Sequence, residues 1–390
     1  MKKETGITIV ALVVTIVVML ILVGVSVTVS INGGLFNTTK ESTYKTEVSQ
    51  VKEALEEEIV QRKARRESVD NITIKDLDIP NKIKDKYKDK LIIIGKDIYY
   101  DPSNIEKDNE EAWLEDMDII ANTKFFTYNT NGDTITGLSE SGYTAIENGV
   151  TKFVMPTKYV SKDANGNRKV TTITTIEKNA FNATVEEKGA CAKIKSVIFP
   201  TTLTTLKTNA FDGCNGLEKI DLSKTQVTYI GQYAFSYCMN LKEAILPENL
   251  TGLDSFAFWH CEKMEKVNIG RITSVRPYCF QYCTSLKNIE IPDSVTYISE
   301  RSFQCCSSLE KLIIPSSVTS INFEAFASCE KIQEIRIPSS VTTISYNVFS
   351  QSAKGGKMYV PYTKEEGKPS GWHGAWNRSG ATIIYADETT

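Results

Sequence analysis

The chain has 390 residues, of which 41% are hydrophobic and 24% are charged, and this composition is typical of a globular protein. It excludes disorder along the whole length, because disordered chains are poor in apolar residues. A formal net charge of -3 leaves no basic field to hold a polyanion. We therefore expect no nucleic acid partner.

An uncharged apolar segment follows the first six residues. Residues 7–31 contain no charged side chain, and a helix of about 25 residues at 1.5 Å each spans a bilayer core of roughly 30 Å. We therefore expect a single-pass transmembrane helix. Lys2 and Lys3 predict that the N-terminus stays in the cytoplasm and that the remainder is extracellular. A cleaved secretory signal fits less well, since its apolar part usually covers about 7 to 15 residues.

The residues around the start of this segment form a short charged leader, MKKETG, followed directly by ITIVALVVT. This order resembles the N-terminus of type IV prepilins and pseudopilins. The resemblance implies that residues 1–6 are a leader, that a prepilin peptidase cuts after Gly6, and that Ile7 becomes methylated. Filament-building pilins usually carry a glutamate at the fifth mature position, where this chain has Ala11, which puts pilus assembly in doubt. A signal anchor that is never cut is the alternative.

Beyond the apolar segment, hydrophobic residues recur at helical spacing. Tyr44, Val48, Val51, Leu55 and Ile59 are three or four residues apart, which predicts an amphipathic helix continuing outward within residues 32–70. The apolar stripe either packs on the region that follows or self-associates. Residues 71–123 mix short apolar runs with an acidic stretch, and we interpret them as a small α+β segment, pilin-like in its position, or a linker.

The remainder of the chain repeats itself. Phenylalanines recur in steps of 24, 23, 22, 23, 23 and 23 residues, at Phe211, Phe235, Phe258, Phe280, Phe303, Phe326 and Phe349. Each unit reads Ala-Phe-x-x-Cys-x-x-Leu-x-x-Ile-x-Ile-Pro-x-x-Val-Thr-x-Ile, a period that indicates a leucine-rich solenoid. The unit resembles the BspA-type leucine-rich repeats of microbial surface proteins.

The predicted fold is thus a β-rich leucine-rich-repeat solenoid with short parallel strands in coils of about 22–24 residues. It is preceded by the long transmembrane α-helix and the small α+β segment. The solenoid covers residues 124–357, and residues 358–390 form a C-terminal cap. An Asn131-Gly132 pair predicts a hairpin turn at its start. An insertion is expected within residues 184–190, because Phe181 lies 30 residues before Phe211, the next phenylalanine of the repeat series, while Cys191 keeps its phase.

Seven of the nine cysteines form one column in phase with the repeat, at Cys191, Cys214, Cys238, Cys261, Cys283, Cys306 and Cys329. We predict that these thiols point inward as small apolar fillers, together with the phenylalanines as structural core. Disulfides between adjacent coils remain open on distance alone. A metal site is not expected, since tetrahedral ligands converge and a straight column does not. Cys305 lies at a variable position and is predicted to be the most accessible thiol.

Two surfaces are candidates for ligand binding. One strand of each coil, exemplified by residues 286–292, alternates inward and outward side chains. Its outward positions vary freely, at Asp221, Ile245, Asn268, Glu290, Ile313 and Arg336. Varied side chains on a regular frame are how solenoids present a binding surface. The second candidate is an aromatic ridge on the turns, formed by Tyr237, Trp259, His260 and Tyr282 with neighbouring tyrosines, which suits sugars or proteins but is also ordinary at half-buried turns.

No catalytic arrangement is recognisable. The chain has two histidines, His260 and His373, neither within a motif, and it lacks a phosphate-binding glycine loop, zinc-ligand spacing and a nucleophile elbow. We expect no enzyme activity and no cofactor. The predicted function is a membrane-anchored, adhesin-like surface protein that binds an extracellular protein or glycan, as resemblance to the BspA-type family implies. The alternative is a minor pilin or pseudopilin that carries the repeats on a filament.

Overall fold

The computed structural model describes residues 35–67, 69, 72–94, 97–101, 104–105, 114, 122–162 and 165–388. The chain divides into two compact units, Met1–Ala121 and Asn122–Thr390. Within the described ranges, no helix combines the length and the apolar composition needed to cross a membrane. The predicted leader with Gly6 and Ile7, and the predicted transmembrane helix, lie outside these ranges.

The first unit contains a long helix and a small mixed segment. Helix α1 covers Leu35–Arg65, a 3-10 turn covers Ile74–Asp76 and helix α2 covers Asn81–Tyr87. Strands β1 (Leu91–Ile94) and β2 (Asp97–Tyr100) pair antiparallel. The segment after the long helix is therefore α+β in its described part.

One face of α1 is buried within its own unit. Tyr44, Val48, Val51 and Leu55 are at most 3% exposed, and Ile59 is partly buried beside them. They share a core with Ile72, Ile74, Leu77, Ile79, Ile83, Tyr87, Leu91, Ile93, Ile98, Tyr100, Ile105 and Leu114. Of the two alternatives for the apolar stripe, packing onto the following region is the one the structure shows.

The second unit opens with a capping hairpin. After a 3-10 turn at Asn122–Phe125, strands β3 (Phe126–Tyr128) and β4 (Thr134–Leu138) pair antiparallel. Gly132 lies in the turn between them with a φ of 80°, a left-handed conformation that glycine adopts without steric penalty. The hairpin predicted from the Asn-Gly pair is confirmed.

Helix α3 (Glu140–Glu147) follows the hairpin, and the Ser139 hydroxyl caps it by accepting a hydrogen bond from the Gly142 N–H at 3.2 Å. A second antiparallel hairpin, β6 (Lys158–Lys162) with β7 (Arg168–Thr172), forms a separate two-stranded sheet. The regular coils begin after β7.

Most coils contribute one strand to each of two parallel ladders. The first ladder has two-residue strands: β8 (Thr175–Ile176), β10 (Thr205–Leu206), β12 (Tyr229–Ile230), β14 (Gly252–Leu253), β16 (Ser274–Val275), β17 (Tyr297–Ile298), β19 (Ser320–Ile321) and β21 (Thr343–Ile344). Neighbouring coils pair in parallel, and the ladder is interrupted between β14 and β16. The predicted solenoid of short parallel strands is confirmed.

The second ladder has three-residue strands: β5 (Lys152–Val154), β9 (Ser196–Ile198), β11 (Lys219–Asp221), β13 (Glu243–Ile245), β15 (Lys266–Asn268), β18 (Lys311–Ile313), β20 (Glu334–Arg336), β22 (Lys357–Tyr359) and β23 (Thr382–Ile384). It breaks between β15 and β18. The strand predicted within residues 286–292 is wrong, because that coil forms only an isolated bridge from Asn288 to Lys311.

Both interruptions lie next to a coil that is one residue short. The step from Phe258 to Phe280 is 22 residues, and the missing residue falls in the turn at Gly270. Gly270 adopts a φ of 61°, and a Cβ there would lie 2.9 Å from the Pro247 oxygen. The tight turn offsets the following coil, and this shift is the physical reason we assign to the broken ladders.

A stack of phenylalanine rings occupies the interior. Ring centroids of neighbouring coils lie 4.9–5.7 Å apart with planes within 10°, from Phe181 to Phe349. These side chains are at most 1% exposed. The predicted insertion after Phe181 forms a 3-10 helix, Glu186–Lys193. This helix contains Cys191, which keeps its place in the cysteine column.

The C-terminal residues close the interior while extending the second ladder. The Trp372 indole donates a 3.0 Å hydrogen bond to the Val341 oxygen, and Trp376 contacts the Phe349 ring edge-on at 6.1 Å. Both tryptophans are buried. The sequence period ends near residue 358, but the ladder does not, because β22 and β23 continue its parallel register.

Candidate binding surfaces

The six varied outward positions of the second ladder form what we call the strand-side column. Asp221, Asn268, Glu290 and Arg336 are exposed, Ile313 is 55% exposed and Ile245 is half-buried. Parallel register brings Asp221, Ile245 and Asn268 side by side, and separately Ile313 and Arg336. Glu290 belongs to the coil without a strand, so the structure divides the predicted column into two patches.

Local contacts orient several side chains of this column. The Asp221 carboxylate accepts hydrogen bonds from the Ser223 N–H at 2.9 Å and from its hydroxyl at 2.6 Å. Burial raises the pKa of Asp221, but the bonds from Ser223 and the charge of Lys219 outweigh it, so this pKa lies below its ordinary value. The Arg336 guanidinium lies 4.1 Å from the centre of the Tyr359 ring.

The predicted aromatic ridge consists of two stacks, which we call the turn stacks. One is Tyr233–Phe256–Tyr278, with centroids 4.6 and 4.5 Å apart, and the other is Tyr237–His260–Tyr282, at 4.9 and 4.3 Å. Trp259 lies between them and meets rings of both stacks edge-on. Within each stack the rings cover one another's faces. The ridge therefore offers mainly ring edges, and open faces for sugar stacking are fewer than the sequence implied.

A chain of polar side chains holds Trp259 in place. Its indole N–H donates to the Gln281 side-chain oxygen at 2.7 Å, and Gln281 donates to Gln304. Gln304 in turn donates to the Glu324 carboxylate at 2.8 Å, which also accepts from Arg301 at 2.9 Å. The polar atom of Trp259 is thus engaged inside the protein.

The thiol column is buried and hydrogen-bonded. Six of its seven sulfurs donate to the carbonyl of a phenylalanine in the preceding coil at 3.1–3.4 Å, in Cys214, Cys238, Cys261, Cys283, Cys306 and Cys329. Ser352 replaces cysteine in the next coil and makes the same bond, to the Phe326 oxygen. These side chains therefore act as hydrogen-bond donors as well as small fillers, a role that the sequence did not predict.

All nine cysteines are free thiols in the structure. Burial raises the pKa of the thiol of Cys191 to about 11 and that of Cys214 well above its ordinary value. Cys305 is the least buried of the nine, and burial also raises its pKa. A raised pKa leaves little thiolate at neutral pH, and the thiolate is the reactive form.

Within the described residues, no three His, Cys, Asp or Glu side chains converge as metal ligands. His260 lies between two tyrosine rings, with its Nδ1 3.5 Å from the Glu262 carboxylate. His373 accepts a hydrogen bond at Nδ1 from the Ala375 N–H at 3.0 Å.

A surface pocket that sequence reasoning missed lies beside the first patch of the strand-side column. Its volume is about 510 Å³. It is lined by the predicted residues Ile245 and Asn268 and by residues that were not predicted: Ser223, Thr225, Gln226, Leu246, Glu248 and Asn249. The signal was present in the irregular phenylalanine steps of 24, 23 and 22 residues, which flank these turns.

Comparison with protein families matches residues 168–284 and 270–366 to the BspA type leucine rich repeat region, in six copies. A search of curated proteins gave no match. Among solved structures, a leucine rich cell surface protein from Faecalibacterium prausnitzii is 25% identical, with a TM-score of 0.45, over 60% of this chain and 68% of that one. A leucine-rich repeat protein from Bacteroides ovatus is 23% identical, with a TM-score of 0.45, over 67% and 68%.

Proposed function

The chain belongs to the BspA-type leucine-rich-repeat family, and from this membership we propose that it is a cell-surface binding protein whose solenoid carries the ligand-contacting side chains. One observation carries the proposal. The inward columns repeat the same residue types in coil after coil, whereas the strand-side column changes in charge and polarity at each step. A constant frame with varied exposed residues is the arrangement of solenoid binding proteins. We assign no catalytic role.

The strand-side column supports this role better than the turn stacks do. Its side chains include acidic, basic, amide and aliphatic groups, and most are exposed. The rings of the turn stacks cover one another, and the indole N–H of Trp259 is engaged by Gln281. An extracellular protein or glycan is therefore expected to contact the strand side first.

The proposed location is the outer face of the cell membrane, with an adhesin-like role. The uncharged segment 7–31 supports an anchor, and Lys2 and Lys3 favour a cytoplasmic N-terminus. This orientation would present the solenoid outside the cell, where a receptor or adhesin meets its ligand.

The test is adhesion of cells that display the full chain. Fixed epithelial cells present both matrix proteins and glycans, so they serve as the target surface. We expect display to increase adhesion, and a variant with Asp221→Ala, Ile245→Ala and Asn268→Ala to lose most of the increase. A matched variant with Tyr237→Ala and Tyr282→Ala on the turn stack is expected to keep it. No adhesion above that of cells lacking the chain would contradict the proposal.

A second candidate, a minor pilin or pseudopilin, is favoured by the order of segments at the N-terminus. The leader ending at Gly6 is followed by the apolar segment, and α1 then packs on a small α+β unit. Mass spectrometry of the mature N-terminus from the native membrane fraction tests processing. A chain that begins at methylated Ile7 supports prepilin peptidase cleavage, whereas a chain that retains Lys2 shows an uncut anchor. Co-purification with sheared filaments would then distinguish a pilin from an adhesin.

A further inference from the structure

Three consecutive coils have turns of decreasing length on the strand side. Each of these turns leads from the second-ladder strand to the first-ladder strand and is bounded by a buried residue at each end. The turns contain four residues at 223–226, three at 247–249 and two at 270–271. The coils before and after them have three, as at 315–317. A long turn beside a short one makes a recess that a uniform solenoid lacks.

The long turn is held in shape by its own side chains. Ser223 is bonded to Asp221 as described above, and the Thr225 hydroxyl donates to the Leu222 oxygen at 2.7 Å. Thr225 is 5% exposed. The short turn depends on Gly270, whose left-handed backbone excludes most other residues. Gly270 does not itself line the pocket, so of these two turns only the long one forms a preformed wall.

The floor of the recess is aliphatic, and the side-chain amide of Asn268 forms one wall. The half-buried side chain of Ile245 forms the floor, and Leu246, which is only 1% exposed, lies beneath it. The Asn268 side chain donates to the Leu246 oxygen at 2.9 Å and accepts from the Leu246 N–H at 2.6 Å. This pair of bonds fixes the amide against the strand edge and leaves the aliphatic surface of Ile245 facing the recess.

The rim carries three polar side chains with unused bonding capacity. In the described coils, the side chains of Gln226, Glu248 and Asn249 are exposed and make no hydrogen bond or ion pair with protein. Together they offer two amide donors and acceptors and one carboxylate acceptor. No basic residue lines the pocket, although Lys224 lies in the long turn. An anionic ligand is therefore disfavoured.

We propose that this pocket between the long turn and its neighbour binds one neutral pyranose unit of an extracellular glycan, an assignment that rests on the binding function proposed above. A pyranose has an apolar C–H face, which fits the aliphatic side chain of Ile245, and hydroxyls around its ring, to which the rim amides and the carboxylate can form hydrogen bonds. The pocket volume of about 510 Å³ lies in the range of small-molecule sites. Its position makes Ile245 and Asn268 the part of the strand-side column that contacts the sugar.

Ligand-observed NMR on the full chain in detergent micelles tests the assignment. The probes are the methyl pyranosides of glucose, galactose, mannose and N-acetylglucosamine, with methyl glucuronide as the anionic counterpart of the glucoside. At least one neutral sugar is expected to bind, and glucuronide to bind more weakly than glucoside. A disaccharide of the best sugar is expected to bind more tightly, since a glycan extends beyond one unit. Weaker binding of the disaccharide would overturn the glycan assignment.

Two variants with matched controls locate the site. Asn249→Ala is expected to weaken sugar binding about fivefold through loss of one hydrogen bond. Its control is Ser316→Ala, an exposed residue in the three-residue turn of an ordinary coil, which should leave binding unchanged. Ile245→Ala should also weaken binding, while Ile198→Ala, at an exposed outward position of β9 that does not line the pocket, should not. Both pairs are conservative surface changes, and circular dichroism confirms that each variant is folded.

Deletion of Lys224 shortens the long turn to the ordinary three residues and is expected to abolish sugar binding. Failure of all four neutral sugars to bind, or equal effects in variants and controls, would overturn the pocket assignment. Cell adhesion then separates the two proposals. Adhesion that persists without sugar binding leaves the binding function standing with a protein ligand, whereas loss of both removes the function as well.

Discussion

Aromatic rings stack from coil to coil in two places in the repeat region, once in the interior and once on the turns. The interior phenylalanines have centroids 4.9–5.7 Å apart, and the turn stacks have centroids 4.3–4.9 Å apart. Both spacings follow from the parallel ladders, which hold adjacent strands about 4.8 Å apart. Similar geometry therefore arises in a buried and in a half-exposed setting.

The two stacks differ in their contribution to the free energy of folding. The interior rings are fully buried and gain the whole hydrophobic term. Turn-stack residues such as Tyr237, Phe256 and His260 have φ values of 53–62°, a left-handed conformation that costs roughly 1–2 kcal/mol for residues other than glycine. Asn209 and Gly213, in the preceding coil, occupy the equivalent positions at lower cost. The comparison indicates that the phenylalanine stack stabilises the fold, whereas the turn stacks contribute little to its stability.

The largest expected effect separates the two stacks with one substitution. Phe280→Ala should lower the free energy of unfolding by about 3–5 kcal/mol, because it opens a cavity in the interior. Phe256→Ala should lower it by about 1 kcal/mol, since it removes a half-exposed ring and leaves the backbone strain in place. Urea unfolding of both full-length variants, followed by circular dichroism, measures the difference. Equal losses would contradict the division of roles.

The second-largest expected effect concerns the carboxylate of Asp212, at the edge of the turn stacks. Burial raises the pKa of Asp212 to about 6, above its unfolded value of about 3.9. The folded state therefore binds this proton more tightly, so stability falls as pH rises from about 4 to 6 and stays lower above that range. Asp212→Asn should raise the free energy of unfolding at pH 7 by about 1–2 kcal/mol, after allowance for solvent screening.

Asp133 provides the control for this pH effect. Hydrogen bonds from Asn129 and Thr134 lower its pKa, so its contribution has the opposite sign and is lost as pH falls. Asp133→Asn should therefore destabilise the chain at pH 7. Urea unfolding at pH 5 and pH 7 measures both variants, and a stabilising effect of Asp212→Asn that is as large at pH 5 would refute the assignment.

A smaller effect tests the thiol column beside the interior stack. Cys261→Ser keeps a donor for the Phe235 carbonyl, which the thiol reaches at 3.2 Å, whereas Cys261→Ala removes it. We expect the serine variant to be more stable than the alanine variant by about 1 kcal/mol. Thermal unfolding of the two proteins decides the sign. If the alanine variant is as stable as the serine variant, the hydrogen bond contributes nothing to stability and the cysteines serve only as small apolar fillers.

The smallest effect leaves stability unchanged and compares the thiols themselves. Cys305 follows Tyr282 along the turn stack, while the column thiols lie inside. Iodoacetamide at neutral pH should alkylate Cys305 slowly and faster as pH rises, because burial raises its pKa. Peptide mass spectrometry identifies the modified residue, and labelling in denaturant provides the full count. Native labelling of Cys279 or of the column would contradict this order of accessibility.

Sequence reasoning succeeded where a residue's role repeats. The interior phenylalanines and the parallel ladders follow from a period that is visible without coordinates, and so does the insertion before Cys191. Sequence reasoning failed where the role of a residue depends on a neighbour in another coil. The sequence marked Tyr237, His260 and Tyr282 as aromatic, but their mutual stacking depends on backbone angles. The strand near Glu290 was predicted from alternation, and it was lost because the coil before it is one residue short.

By itself the sequence determined the solenoid class, the buried columns and the separation of an N-terminal helical region from the repeats. These features depend on hydrophobic periodicity, which is a local property of the chain. Only the tertiary structure decided that sulfurs donate to phenylalanine carbonyls, that the strand-side column splits into two patches and that two turns of unequal length line a surface pocket. Each of these depends on distances between residues more than twenty positions apart, and such distances follow from how successive coils stack.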